Sequence, residues 1–134
     1  MSRGLRNNNP GNIRRSSARY KGEVHPSRDK EFKEFQSMAY GYRAMFVLLD
    51  TYRKRYGLNT IGTMLMRYAP PTENYTTSYI EFVVRHTGIG ANTPLNTRYM
   101  RDMIPVVAAM SEIENGVAAN LTEVEQGWRL FIEG

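Results

Sequence analysis

No cysteine occurs among the 134 residues, so disulfides, thiolate metal sites and a cysteine nucleophile are excluded, and cysteine usage carries no reading of redox compartment. Histidine is almost as scarce. His25 and His86 are the only two, and a zinc site would need both plus carboxylates, so no metal centre is expected. Long apolar runs are missing too. Stretches such as Val106 to Met110 are too short to span a bilayer, and the basic, polar N-terminus has no apolar signal core. The chain is therefore expected to be soluble as synthesised, without an export signal. Internal repeats and low-complexity linkers are lacking as well, and the length suits a single domain, 1–134, with a core that needs no staples.

Charge is present, and it is uneven. The formal net charge is +5, with residues 1 to 30 at +6 and the remainder at −1. A basic segment of this kind raises the local concentration of a polyanion, whether nucleic acid, an anionic surface or a bacterial wall, or else is a solvated arm. Its few interleaved aromatics and the lack of helix-turn-helix spacing leave a sequence-specific nucleic-acid reader unsupported, with non-specific phosphate attraction as the weaker alternative. No cofactor is expected. Gly88-Ile89-Gly90 lacks the third glycine and the preceding strand of a dinucleotide fingerprint and reads as a connector.

The pattern along the chain predicts a mainly α fold with a small β-hairpin near the N-terminus. Asn7 to Asn12 is turn chemistry, with no helix expected before it. The broken stretch from Ile13 to Phe35 suggests the hairpin. From there, Tyr40, Ala44, Val47, Leu48 and Tyr52 recur at helical spacing over Met38 to Tyr56, closed by Gly57. Thr60 caps a second helix that runs to Tyr68 before Pro70-Pro71, and Thr76 or Thr77 caps a third that ends at Gly88. Asn96 or Thr97 starts a helical turn. Asp102 is expected to cap the next helix, with Pro105 in its first turn and Gly116 at its end, and Thr122-x-x-Glu125 looks like a capping box for the last.

The helix after Asp102 carries the candidate acid. With Met103 at zero and about 100° per residue, Val107, Met110, Val106 and Ile113 define an apolar face, Glu114 falls at about 20° within it, and Glu112 falls at about 180°. A carboxyl in apolar surroundings at the negative end of a helix dipole is disfavoured as the ion, and a raised pKa suits a general acid at neutral pH. The alternative is a frayed helix end from which Glu114 reaches water beside Gly116. Glu23, in Tyr20-Lys21-Gly22-Glu23, is either a presented or a merely solvated turn carboxylate. Glu73 falls in the Ala69 to Asn74 loop, and His86 near a helix end reads as complementing the dipole. The nine tyrosines and Trp128 could line a sugar cleft, although those at helical spacing are mostly core.

Three stretches carry a family resemblance: Arg3 to Ile13, Phe32-x-x-Phe35 with Gly41-Tyr42-Arg43-Ala44, and Tyr68 to Asn74 with Thr77-x-Tyr79. Together they resemble small bacteriophage and prophage proteins with an Asn-Asn-Asn-Pro-Gly-Asn turn, often labelled structural proteins. A more distant likeness is to bacterial cell-wall glucosaminidases of lysozyme-like fold. Asn8 to Ile13, Tyr20 to Glu23, Phe32-x-x-Phe35-x-Ser37, Leu48-Leu49 and Thr76 to Ile80 look like their marks in the same order. In those enzymes the catalytic glutamate ends a helix before the Asn-rich turn, in Glu-Ser-Gly. Here Glu114-Asn115-Gly116 resembles that helix end from the C-terminal part, which a circular permutation would explain.

The resemblance implies a lysozyme-like single domain that cleaves the glycan strand of peptidoglycan, by hydrolysis or lytic transglycosylation. Made in the bacterial cytoplasm, it would act in the virion or at the cell wall, with phage virion components as further partners. Glu114 would be the acid, with Glu23 facing it across the cleft. Asn8, Asn9 and Asn12 would brace the cleft floor through side-chain to backbone bonds and, with Tyr79 and Glu73, make up the substrate-binding side. The rival is a non-catalytic virion or wall-binding protein that keeps the fold without the chemistry.

Overall fold

The computed structural model describes residues 1–71 and 75–134, so the expectation for Glu73 lies outside the described residues. Among them the chain is mainly helical: α1 (Arg3–Arg6), α2 (Met38–Tyr56), α3 (Ile61–Tyr68), α4 (Thr76–Thr87), α5 (Met100–Asn115) and α6 (Leu121–Glu133). The one two-stranded sheet described pairs β1 (Glu23–Val24) antiparallel with β2 (Glu34–Phe35), Glu23 opposite Phe35 and Val24 opposite Glu34. An isolated antiparallel bridge, Arg14 to Phe32, extends this corner back towards the Asn-rich turn.

The central element is α2, which ends where its periodicity predicts, on a left-handed Gly57. Its buried positions include Tyr42, Met45, Phe46, Leu49 and Tyr52, whereas Val47 and Leu48 are only partly covered. The expected stripe is thus broader and turned, because α2 is packed by α6, α5 and β2 on different sides. Phe46 meets the Trp128 ring edge-on at 5.0 Å between centroids and stacks on Phe131 at 6.0 Å. Gly127 permits that approach, since a Cβ there would lie 2.6 Å from Tyr42 Cβ and 2.9 Å from the Ala39 carbonyl oxygen. The buried apolar side chains of all these elements form one continuous cluster. No helix among the described residues is long and apolar enough to cross a membrane.

Several helix starts differ from expectation. A single helical turn, α1, precedes the Asn-rich turn, because the Ser2 hydroxyl accepts from the Leu5 N–H at 3.2 Å and supplies a cap. The α4 cap position is Tyr75, with no side-chain cap, and the Thr76 hydroxyl instead donates to the Ala69 carbonyl. Helix α5 begins at Met100, so Asp102 lies inside it and accepts from the Asn96 N–H at 2.9 Å. Pro105 therefore falls in the second turn of α5, where its missing N–H leaves the Arg101 carbonyl without the usual helical donor. Asn120 caps α6 by accepting from Glu123, which places Thr122 and Glu125 within the helix. The expected caps of α4 and α5, Thr76 and Asp102, are engaged elsewhere and those helices start without a side-chain cap, whereas Ser2 and Asn120 cap α1 and α6.

Candidate active site

The Asn-rich turn is a scaffold of directed hydrogen bonds. Asn8 and Asn12 adopt left-handed backbone, φ 52° and 49°, which asparagine tolerates. Asn9 is fully buried. Its amide donates to the Ile13 and Lys33 carbonyls at 3.0 and 2.9 Å, and its carbonyl accepts from the Ile13 N–H at 2.9 Å. Asn8 donates to the Phe35 carbonyl at 3.1 Å, joining the turn to β2. Gly41 lets α2 come against this turn, because a Cβ there would sit 2.1 Å from the Asn8 carbonyl oxygen. Asn115 closes the arrangement from α5: its amide donates to the Pro10 carbonyl at 2.8 Å while its carbonyl accepts from the Ser2 hydroxyl at 2.7 Å.

The last turn of α5 is thereby held against the turn, and Glu114 projects into a cleft of about 330 Å³. Gly11 to Arg14, Phe32, Leu48, Tyr52, Arg67 to Pro70 and Glu114 line it. Asn12 donates to one carboxyl oxygen of Glu114 at 2.9 Å, and the Tyr79 hydroxyl donates to the other at 3.0 Å. Burial pushes the Glu114 carboxyl above its usual range, against the opposing pull of those two hydrogen bonds and of the Arg14 charge. Burial also raises the Tyr79 and Tyr68 hydroxyls, with the Glu114 charge adding to it, so both remain protonated donors. Tyr68 donates to the Gly11 carbonyl at 2.5 Å. Glu112, on the other side of α5, lies 3.7 Å from His86 and does not line the cleft.

Glu23 is not brought to this cleft. Its carboxylate, 6% exposed, is paired at 3.1 Å with the Lys33 ammonium, itself 2% exposed, and it accepts from its own turn at the Tyr20 N–H. The pair borders a separate recess of about 70 Å³ with Arg19, His25 and Ser27. Lys33 also donates to the Ala18 carbonyl at 2.7 Å, so a buried cation fixes Glu23 where a facing acid was expected. Tyr79 lies behind Glu114 rather than on the cleft lining, and Asn9 is likewise sealed inside the turn. Part of the basic segment is paired: Arg3 holds the Asp29 carboxyl well below its usual range, and Arg28 pairs with Glu34 of β2.

Sequence alone did not point to Arg14 or Arg67 as cleft residues, and among the tyrosines that could line a cleft it did not single out Tyr52 and Tyr68. Arg14 stood in the basic segment and the tyrosines at core spacing, so only the Tyr68-Ala69-Pro70-Pro71 break hinted at a lip. Among the described residues Glu114 is the one carboxylate lining the cleft, and no group of three or more His, Asp or Glu could hold a metal.

Compared with known proteins, the chain is 43% identical over 119 residues to Protein P5 of Pseudoalteromonas phage PM2, a match covering 86% of this chain and 72% of the phage protein. The chain belongs to that protein's family. The P5 family is thus phage-encoded, in keeping with the resemblance drawn from the Asn-rich turn. No family model matches the chain.

Proposed function

We propose that this P5-family protein cleaves the glycan strand of peptidoglycan, with Glu114 as its acid and with a permuted lysozyme-like arrangement of helix end, turn and hairpin. The observation that carries this reading is a carboxyl whose pKa burial pushes up, oriented by Asn12 and Tyr79, and open to a cleft whose lining includes the aromatic and apolar side chains of Phe32, Leu48 and Tyr52. Sugar rings present apolar faces to such walls, while the acid needs a proton at neutral pH and a fixed aim at the bridging oxygen. Glu114 donates that proton as the bond from the anomeric carbon to the bridging oxygen breaks. The resulting carboxylate then takes a proton from the incoming nucleophile, either water or the sugar's own 6-hydroxyl, as the new bond to the anomeric carbon forms. Asn12 and Tyr79 stabilise the carboxylate between the two steps. With Glu23 bound to Lys33, one carboxyl serves both steps. The protein would work in the virion or at the wall.

Glu114→Gln keeps shape while removing the transferable proton, so fragment release from purified peptidoglycan should fall about a hundredfold or more. Strand binding should survive. Equal clearing by wild type and variant would remove Glu114 as the acid, whereas binding without any release by either would favour the non-catalytic virion or wall-binding rival.

A further inference from the structure

The two arginines bordering the cleft are not explained by proton transfer. A cation near Glu114 favours the ionised carboxylate, and Arg14 pulls in that direction without forming an ion pair with it among the described residues. Such a charge works against storing the proton until something neutralises it. Arg67, from α3, reaches the same cleft.

Both guanidiniums lie over aromatic faces. That of Arg67 is 3.8 Å from the Tyr56 ring centre and 5.5 Å from that of Tyr52, and that of Arg14 is 5.2 Å from the Phe32 ring. Stacking uses the flat of a guanidinium and leaves its in-plane N–H groups directed outwards, the geometry that accepts a carboxylate through two parallel bonds. Arg14 has one loose protein partner, Glu31 at 3.6 Å, with both side chains more than half exposed. A ligand carboxylate can replace such a contact at small cost.

We propose that Arg14 and Arg67 form a carboxylate-recognition site at the cleft, which selects glycan strands bearing acidic substituents over neutral N-acetylglucosamine polymers. This inference rests on the glycan-cleaving reading and names what the site selects. A bound carboxylate offsets the positive field beside Glu114 and so adds to the upward push that burial gives the acid. The acidic group is either the lactyl carboxylate of the muramic sugar or a carboxylate of the attached stem peptide.

The test uses three soluble substrates: strands with stem peptides, strands stripped of them by an amidase, and a chitin oligosaccharide. Wild type, Arg14→Gln, Arg67→Gln and the double variant are compared by KM and kcat, and by co-sedimentation with insoluble wall. Each single variant should raise KM for the acidic strands about two- to fivefold, the range of a solvent-exposed ion pair, with no rise in KM on chitin. An effect on stripped strands, whose lactyl carboxylate the amidase frees, assigns that group, and one on intact strands, where the lactyl group is amide-bonded, assigns the stems. Equal losses on chitin, or no change on any substrate, would overturn the inference while leaving the cleavage reading standing. If wild type releases nothing from all three, the cleavage reading falls. Co-sedimentation then decides the arginines alone: wall binding reduced in the double variant supports them, and unchanged binding refutes them.

Discussion

The α2–α6 pair and the corner formed by residues 2 to 35 are buried in contrasting ways. Between the helices, Phe46, Trp128 and Phe131 meet through rings with centroids 5.0 to 6.0 Å apart and no polar partner is required. In the corner, Asn9, Lys33 and Glu34 are buried polar groups, each satisfied by named donors or acceptors. Apolar packing is non-directional and tolerates volume-conserving exchange, whereas a buried polar web fixes atoms along hydrogen-bond directions and is costly when one member is lost. The difference suits their tasks. The helices supply most of the burial, and the corner sets the position of Asn12 beside Glu114.

The largest effect on stability should come from the helical side. Trp128→Ala removes a ring that two others pack against and should cost about 3–5 kcal/mol in a urea melt, with the specific activity of the folded fraction retained. Loss of activity at unchanged stability would mean that the two regions are coupled more closely than their packing indicates. In the corner, Glu23→Gln leaves the Lys33 ammonium buried without its counter-charge and should cost about 3 kcal/mol. Its kcat should hold. A fall in kcat without destabilisation would return Glu23 to the chemistry.

Asn9→Ala should be somewhat milder, about 1–3 kcal/mol, since it unpairs the Ile13 N–H and the Lys33 carbonyl without stranding a charge. If the variant keeps full thermal stability yet loses glycan binding, Asn9 contacts substrate rather than bracing the turn.

The smallest effect concerns pH at the junction of the two regions. The folded pKa of Glu114 lies above its unfolded value, so the stability from its protonated form is fully present below the unfolded value and is lost as pH rises through the folded one. Glu114→Gln should therefore melt higher than wild type at pH 7, and the gap should narrow as pH falls towards 4. A gap that widens on acidification would show that the carboxylate, held by Asn12 and Tyr79, is the favoured form.

Periodicity and end signals sufficed for the bodies of α2 to α5, because an apolar repeat and a left-handed glycine such as Gly57 or Gly116 act within a few residues. The same local geometry was enough to turn Glu114 to the buried face of its helix and Glu112 away from it. Caps were less legible, since Asp102 and Thr76 had competing partners and Asn120 took the place expected of Thr122, choices that sequence spacing does not rank.

Only the tertiary structure decided which groups meet. That Asn12 reaches Glu114 across 102 positions, that Glu23 is held by Lys33 rather than by the cleft, and that Arg14 and Arg67 share one opening are long-range facts. A helical angle specifies the direction of a side chain from its own axis. What stands opposite depends on how distant segments pack, and the balance between burial and charge pairing there determines whether a carboxyl keeps its proton.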